Sequence, residues 1–214
     1  MARTALFGGS FNPIHYGHLL LADEVRERLG LARVIFMPAG APPHKPASEL
    51  ASAADRHAMV RLAIADNPAF EVSDLEIRRS GASYTVDTVE ALGLPPEELF
   101  LVIGSETFLD LLSWREPRRI AARARIVVIP RAGSSFDPDG AAARKVLREI
   151  GADGITRVED SVPERGVLVV HATSLPLSAS EIRARAAAGR SLAYRVPPGV
   201  ADYIARHRLY GRAA

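Results

Sequence analysis

Short apolar runs rich in β-branched residues alternate with amphipathic stretches along this chain, the pattern of βαβ units. The runs predict strands at Thr4–Phe7, Arg33–Met37, Phe70–Val72, Leu99–Ile103, Ile126–Ile129 and Val167–His171. Between and after them, the amphipathic stretches predict helices at Gly17–Leu29, Ala53–Asp66, Thr85–Ala91, Glu106–Leu112, Pro138–Ile150, Ala179–Ala188 and Pro198–Arg206. Gly30 stands where a glycine ends the first helix, and Pro38 and Pro130 follow the second and fifth strands. The expected architecture is α/β: a doubly wound, Rossmann-like, mostly parallel sheet with helices on both faces. It forms one domain over residues 1–214, with a C-terminal helical portion, about 179–214, packed on it.

In such sheets ligands bind beyond the carboxyl ends of the strands, at the point where strand order reverses. The segments to inspect are therefore 8–18, 38–46, 104–114, 130–135 and 172–183. The first carries the strongest signal. Gly8-Gly9-Ser10-Phe11-Asn12-Pro13 follows an apolar run, and His15 and His18 stand three positions apart at the start of the next helix. Two glycines let the backbone pass close to an anion, and a helix start offers unpaired N–H groups. Both imidazoles can donate to phosphate oxygens. Taken alone, Gly-Gly after a strand is an ordinary tight turn, and a histidine pair can also hold a metal. No third His, Cys or carboxylate lies at a convincing spacing nearby, which favours phosphate and predicts no protein metal site.

Composition narrows the class. The chain has 214 residues, 48% of them hydrophobic, and a formal charge of +2. That balance, despite a pI of about 9.2, predicts no nucleic-acid partner. Positive charge is almost all arginine, with lysine only at Lys45 and Lys145. Cysteine is absent, so disulfides, thiolate nucleophiles and thiolate metal sites are excluded together. No apolar leader precedes the first strand and no uncharged run approaches a membrane span, so a cytoplasmic setting without membrane contact is expected.

The loop Gly8–Pro13 with His15-Tyr16-Gly17-His18 resembles the signature of the nucleotidyltransferase superfamily that carries an H-x-G-H motif, and within it bacterial nicotinate-nucleotide adenylyltransferases. Later segments carry the resemblance along nearly the whole chain. Pro42-Pro43-His44-Lys45-Pro46 is otherwise an ordinary proline-stiffened loop. Ser83-Tyr84-Thr85-Val86-Asp87-Thr88 is similar to the family's S-Y-T-x-D-T element, though alone it reads as a helix cap by Ser83 or Thr85. Ile103-Gly104-Ser105-Glu106 with Trp114 resembles the G-x-D element and its downstream tryptophan; a lone tryptophan is also commonly core. Arg131 matches the arginine of R-P-G, with Ala132 in place of proline. Leu177-Ser178-Ala179-Ser180-Glu181-Ile182-Arg183 is similar to I-S-S-T-x-I-R and also reads as a capping box from Ser178 to Glu181. Two further departures stand at Glu106, where the family has aspartate, and Arg115, where an aromatic is common.

The resemblance implies an enzyme of nucleotidyl transfer (EC 2.7.7 type) that joins ATP and nicotinate mononucleotide into nicotinate adenine dinucleotide and pyrophosphate in NAD biosynthesis, with Mg²⁺ carried on ATP. It implies His18 and His15 as the catalytic pair. ATP contacts fall to Gly8, Gly9, Ser10, Phe11, His15, His18, Gly104, Ser178, Ser180 and Arg183. Mononucleotide contacts fall to Asn12, His44, Lys45, Thr85, Glu106, Trp114, Arg115 and Arg131. Three alternatives stay open: the amide mononucleotide or phosphopantetheine as acceptor, and a nucleotide-binding regulator without catalysis. A homo-oligomer also stays open.

Overall fold

Seven strands among the described residues pair into one sheet: Thr4–Gly9 (β1), Arg33–Pro38 (β2), Phe70–Val72 (β3), Leu99–Gly104 (β4), Arg125–Ile129 (β5), Ile155–Arg157 (β6) and Val167–Val169 (β7). Their spatial order is β3-β2-β1-β4-β5-β7-β6, and every pairing is parallel. The computed structural model describes residues 2–43, 46–131, 133–158 and 166–211. After β1 the chain steps outward through β2 to β3, then returns to lay β4 on the other side of β1. That reversal leaves a crevice between the carboxyl ends of β1 and β4.

Helices cover both faces: Tyr16–Arg28 (α1), Ala53–Ala63 (α2), Leu75–Arg78 (α3), Thr85–Ala91 (α4), Ser105–Leu109 (α5), Pro117–Arg123 (α6), Ala141–Ile150 (α7), Ala179–Ala187 (α8) and Pro198–Arg206 (α9). Strict period-two alternation divides the strand residues between them. Ala5, Val34, Phe36, Phe100, Val102, Val127 and Ile129 pack with Ala22, Val25, Met59, Val60, Ile182, Val200 and Ile204 of α1, α2, α8 and α9. Leu6, Ile35, Met37, Leu101, Ile103, Ile126 and Val128 pack with Val86, Val89, Phe108, Ile120, Val146 and Leu147 of α4 to α7. Both faces are covered, which is why the strands read as unbroken apolar runs. Among the described residues no helix is long and apolar enough to cross a membrane.

Several boundaries differ from those read in the sequence. β1 does not stop before its glycines; Gly8 and Gly9 stay in register with Met37 and Pro38 of β2. β4 likewise runs on to Gly104, beside Ile129. β7 ends at Val169 rather than His171, α2 at Ala63, and α7 starts at Ala141, after Gly140. Three elements carried too little local signal to be read. β6 is a three-residue edge strand with exposed Thr156 and Arg157, and it is defined by its pairing with β7. α3 is a single turn. α6 shows the sequence a proline and three arginines in seven residues, although Pro117 opens the helix, where its missing N–H costs nothing.

Candidate functional site

The β1–α1 loop is folded by its own aromatic residues. Phe11 adopts a left-handed backbone, φ 45°, and turns its ring into the core, 2% exposed. There it meets Phe7 and His18 edge-on, at centroid distances of 5.8 and 5.2 Å. A side chain on Gly9 would press within 3.1 Å of that ring, so the glycine leaves room for the phenylalanine. The Phe11 side chain therefore faces core; what it can offer a ligand is backbone.

His15 is the N-cap of α1 and His18 its third residue, so the pair stands at the helix mouth. Their rings stack at 3.7 Å with 27° between planes. Nδ1 of His18 accepts the His15 backbone N–H at 3.3 Å, which leaves Nε2 as the protonated, donating nitrogen of the neutral ring. Burial lowers the His15 imidazole to about 4, while burial first and the neighbouring His15 second hold His18 well below the ordinary histidine range. Both rings are neutral at physiological pH. Nδ1 of His15 is buried with no partner among the described residues. The stack explains Gly17 as well: a Cβ there would lie 3.1 Å from the His15 ring.

Two adjoining cavities open at the carboxyl ends of β1 and β4. One, of about 300 Å³, is lined by Gly8, Gly9, Ser10, Gly104 and Thr107 and closed from behind by Glu76 and Thr88. The other, of about 360 Å³, lies among Pro43, Tyr84, Ser113 and Arg115. Pro42, Ser83, Thr85 and Trp114 line both. Trp114 thus stands as a shared wall, partly buried, its remaining surface against the β4–α5 core. The Arg115 guanidinium lies 5.0 Å over the Tyr84 ring, with Glu116 at 3.7 Å. Neither Ser83 nor Thr85 caps α4. Tyr84 occupies that position without a side-chain bond, and the Ser83 hydroxyl accepts from Ala41 N–H at 3.1 Å instead.

Around the rim the remaining expected residues sort by what they touch. Glu106 and Arg131 face each other at 3.6 Å, both largely exposed. Ser178 caps α8 by accepting Glu181 N–H at 3.1 Å. Arg183 donates to the Ser180 hydroxyl at 3.2 Å and to the Asn12 carbonyl at 2.9 Å, which ties α8 to the β1–α1 loop. Asn12 differs from expectation. Its side-chain oxygen accepts from Ala51 N–H at 3.1 Å and the Tyr210 hydroxyl at 2.9 Å, and its amide donates to Glu49 at 3.0 Å. One N–H is left, on a residue 3% exposed, so the side chain is a staple between segments. His44, Lys45 and Ala132 lie outside the described residues. Among the described residues no group of three or more His, Cys, Asp or Glu could hold a metal ion.

With this geometry in view, a family model described as cytidylyltransferase-like matches residues 6–185. A protein of Geotalea uraniireducens named "probable nicotinate-nucleotide adenylyltransferase" is 42% identical over 217 residues, 99% of each chain. The chain belongs to the nicotinate-nucleotide adenylyltransferase family. A Symbiobacterium thermophilum relative of the same name is 44% identical over 99% of this chain and 97% of its own length. The fold is that of Plasmodium falciparum nicotinic acid mononucleotide adenylyltransferase, solved in complex with NaAD (TM-score 0.73, 20% identity, 98% of both chains) and with APC (TM-score 0.72, 19% identity).

For this member of the adenylyltransferase family, sequence reasoning passed over two charged residues that the fold brings to the site. Glu76 in α3 is 8% exposed, accepts the Thr88 hydroxyl at 2.6 Å, and is raised above the ordinary carboxylate range by burial. Arg56 in α2 is 1% exposed. A signal for Arg56 exists in the chain: it falls on the stripe of Met59 and Val60, where an apolar residue belongs. Glu76 carried no such signal, because a one-turn helix has no periodicity to violate.

Proposed function

We infer that this protein transfers the adenylyl group of ATP to nicotinate mononucleotide, forming nicotinate adenine dinucleotide and pyrophosphate in NAD biosynthesis. The observation that carries the reading is the stacked, neutral His15–His18 pair at the α1 mouth, joined by the β1–α1 loop to Gly8, Gly9 and Ser10, which line the inner cavity at the strand reversal. The mononucleotide phosphate attacks the α-phosphorus in line; a new P–O bond forms as the bond to the β-phosphate bridging oxygen breaks and pyrophosphate leaves. The attacking oxygen is already ionised, so the site needs no general base. Its work is alignment and stabilisation of the charge that builds on the phosphoryl oxygens.

In this reading Nε2–H of His18 donates to the α-phosphoryl group, with His15 beside it on the ATP phosphates. Gly8, Gly9, Ser10, Gly104 and the backbone at Phe11 border the nucleotide, while Ser178, Ser180 and Arg183 hold the outer phosphates. Mg²⁺ enters on the triphosphate; the donor set of imidazole, hydroxyl, guanidinium and N–H suits phosphate oxygens, so the ion needs no carboxylate cage of its own. The mononucleotide takes the cavities walled by Trp114 and Thr85, whose aromatic face suits a pyridine ring. His44, Lys45, Glu106 and Arg131 belong to the same acceptor side, and Asn12 acts there by positioning. Arg115 at the outer cavity favours an acidic ring substituent over an amide, while the carboxyl of Glu76 closes the inner one. A cysteine-free chain suits the reducing cytoplasm.

Pyrophosphate release by purified protein with ATP and Mg²⁺, offered each acceptor in turn, tests this. Turnover is expected with nicotinate mononucleotide and is weaker with the amide. Preference for phosphopantetheine would reassign the acceptor, and ATP binding without pyrophosphate release from any acceptor would make the protein a nucleotide-binding regulator.

A further inference from the structure

Arg56 is the bulkiest of the fully buried side chains, and all three of its guanidinium nitrogens are engaged. Nε donates to the Ala51 carbonyl at 3.0 Å, one terminal nitrogen to the Ser10 carbonyl at 2.9 Å, and the other to the Gly40 carbonyl at 3.2 Å. These carbonyls belong to three separate segments. Ser10 is in the β1–α1 loop, on the side of the histidines. Gly40 precedes the Pro42–Pro43 wall of both cavities, and Ala51 leads into the Ser52 cap of α2. Gly40 is itself pinned from behind, because a Cβ there would collide with the Glu76 carbonyl.

We propose that Arg56 is a positioning residue for adenylyl transfer, its planar guanidinium setting the ATP-side loop against the acceptor-side loop. The inference rests on the function proposed above. Arg56 touches no reacting atom; it acts through Ser10 and Gly40. In-line transfer is sensitive to such placement, since a misplacement of about 1 Å can cost on the order of 10²-fold in rate. A lysine would keep the charge but present a single ammonium where three coplanar bonds diverge. The loop remains attached without Arg56, because Asn12 bonds both Glu49 and Ala51 and is held in turn by Tyr210 and Arg183. Loss of Arg56 therefore changes the angle between the two substrate loops more than their attachment.

The test compares wild type, Arg56→Lys and Arg56→Met by thermal melting, by binding of ATP alone and of nicotinate mononucleotide alone, and by turnover. For Arg56→Lys we expect a folded protein, each separate affinity within about threefold of wild type, and kcat lower by about 10²-fold. Arg56→Met extends the loss where it folds; where it does not, Arg56→Lys decides. A folded variant with kcat within about threefold of wild type overturns the proposal, and so does a loss confined to the KM of one substrate. Wild-type protein that releases no pyrophosphate removes the functional reading itself. An active wild type with an equally active Arg56→Lys removes only the role of Arg56.

Discussion

At the scale of single residues, the histidine pair joins stability to chemistry. Keeping two stacked imidazoles in a poorly solvated niche favours their neutral form, with His15 lowered to about 4 from an ordinary value near 6.5. The unfolded chain therefore binds protons that the folded one refuses. Stability from this source is fully present above about pH 6.5 and is lost as pH falls toward 4, by on the order of 3 kcal/mol for His15. His18→Ala is expected to lower kcat by about 10²–10³-fold, the usual cost of one transition-state donor, while leaving a folded protein. Its melting temperature should also fall less steeply than the wild type's between pH 7 and 4. Equal turnover would remove His18 from the reaction, and an unchanged acid slope would remove it from the pH response.

At the scale of elements, α1 shows a site set against local stability. Glycine in a helix costs roughly 1 kcal/mol relative to alanine, yet Gly17 sits in the first turn of α1. The reason is the His15 ring, which lies where a Cβ would press at 3.1 Å. Gly17→Ala should therefore hold or raise the melting temperature while lowering kcat about tenfold, as His15 is pushed off its stack. A variant that loses stability and keeps its rate would contradict this. The same element shows what could be read in advance. The histidine spacing was legible in the chain, as was the Ser178 cap of α8, because both are local patterns. That the rings of His15 and His18 stack is a matter of three-dimensional packing, and that Tyr84 rather than Ser83 or Thr85 holds the N-cap of α4 goes with the Ser83 hydroxyl being taken by Ala41, 42 positions away.

At the scale of the molecule, the C-terminal portion is tied to the elements that carry the candidate site. The N–H of Tyr16, first in α1, is satisfied by the Arg195 carbonyl at 3.0 Å, and the Tyr203 hydroxyl reaches Asp55 in the first turn of α2 at 2.9 Å. Tyr210, its hydroxyl held protonated by burial, closes on Asn12 across the whole length of the chain. Tyr210→Phe keeps the ring and removes one hydrogen bond, so a loss of about 1 kcal/mol, roughly 2–4 °C in melting temperature, is expected. No shift would mean that water replaces the hydroxyl and that the tail is held by packing alone.

Alternation of apolar runs and amphipathic stretches was enough to place most strands and helices in a doubly wound sheet, because each pattern is set by the geometry of its own element. The Gly8–His18 loop was legible for the same reason: turn chemistry and helix starts are written in consecutive residues. Burial was not. A buried arginine, a buried glutamate and an asparagine with most of its bonding capacity filled look in sequence like any surface residue, and their roles arise from partners 5 to 198 positions away, most of them in other elements. Only packing decided that Asn12 staples where Thr85 and Trp114 line space, because each hydrogen bond depends on where the sheet order brings separate loops together.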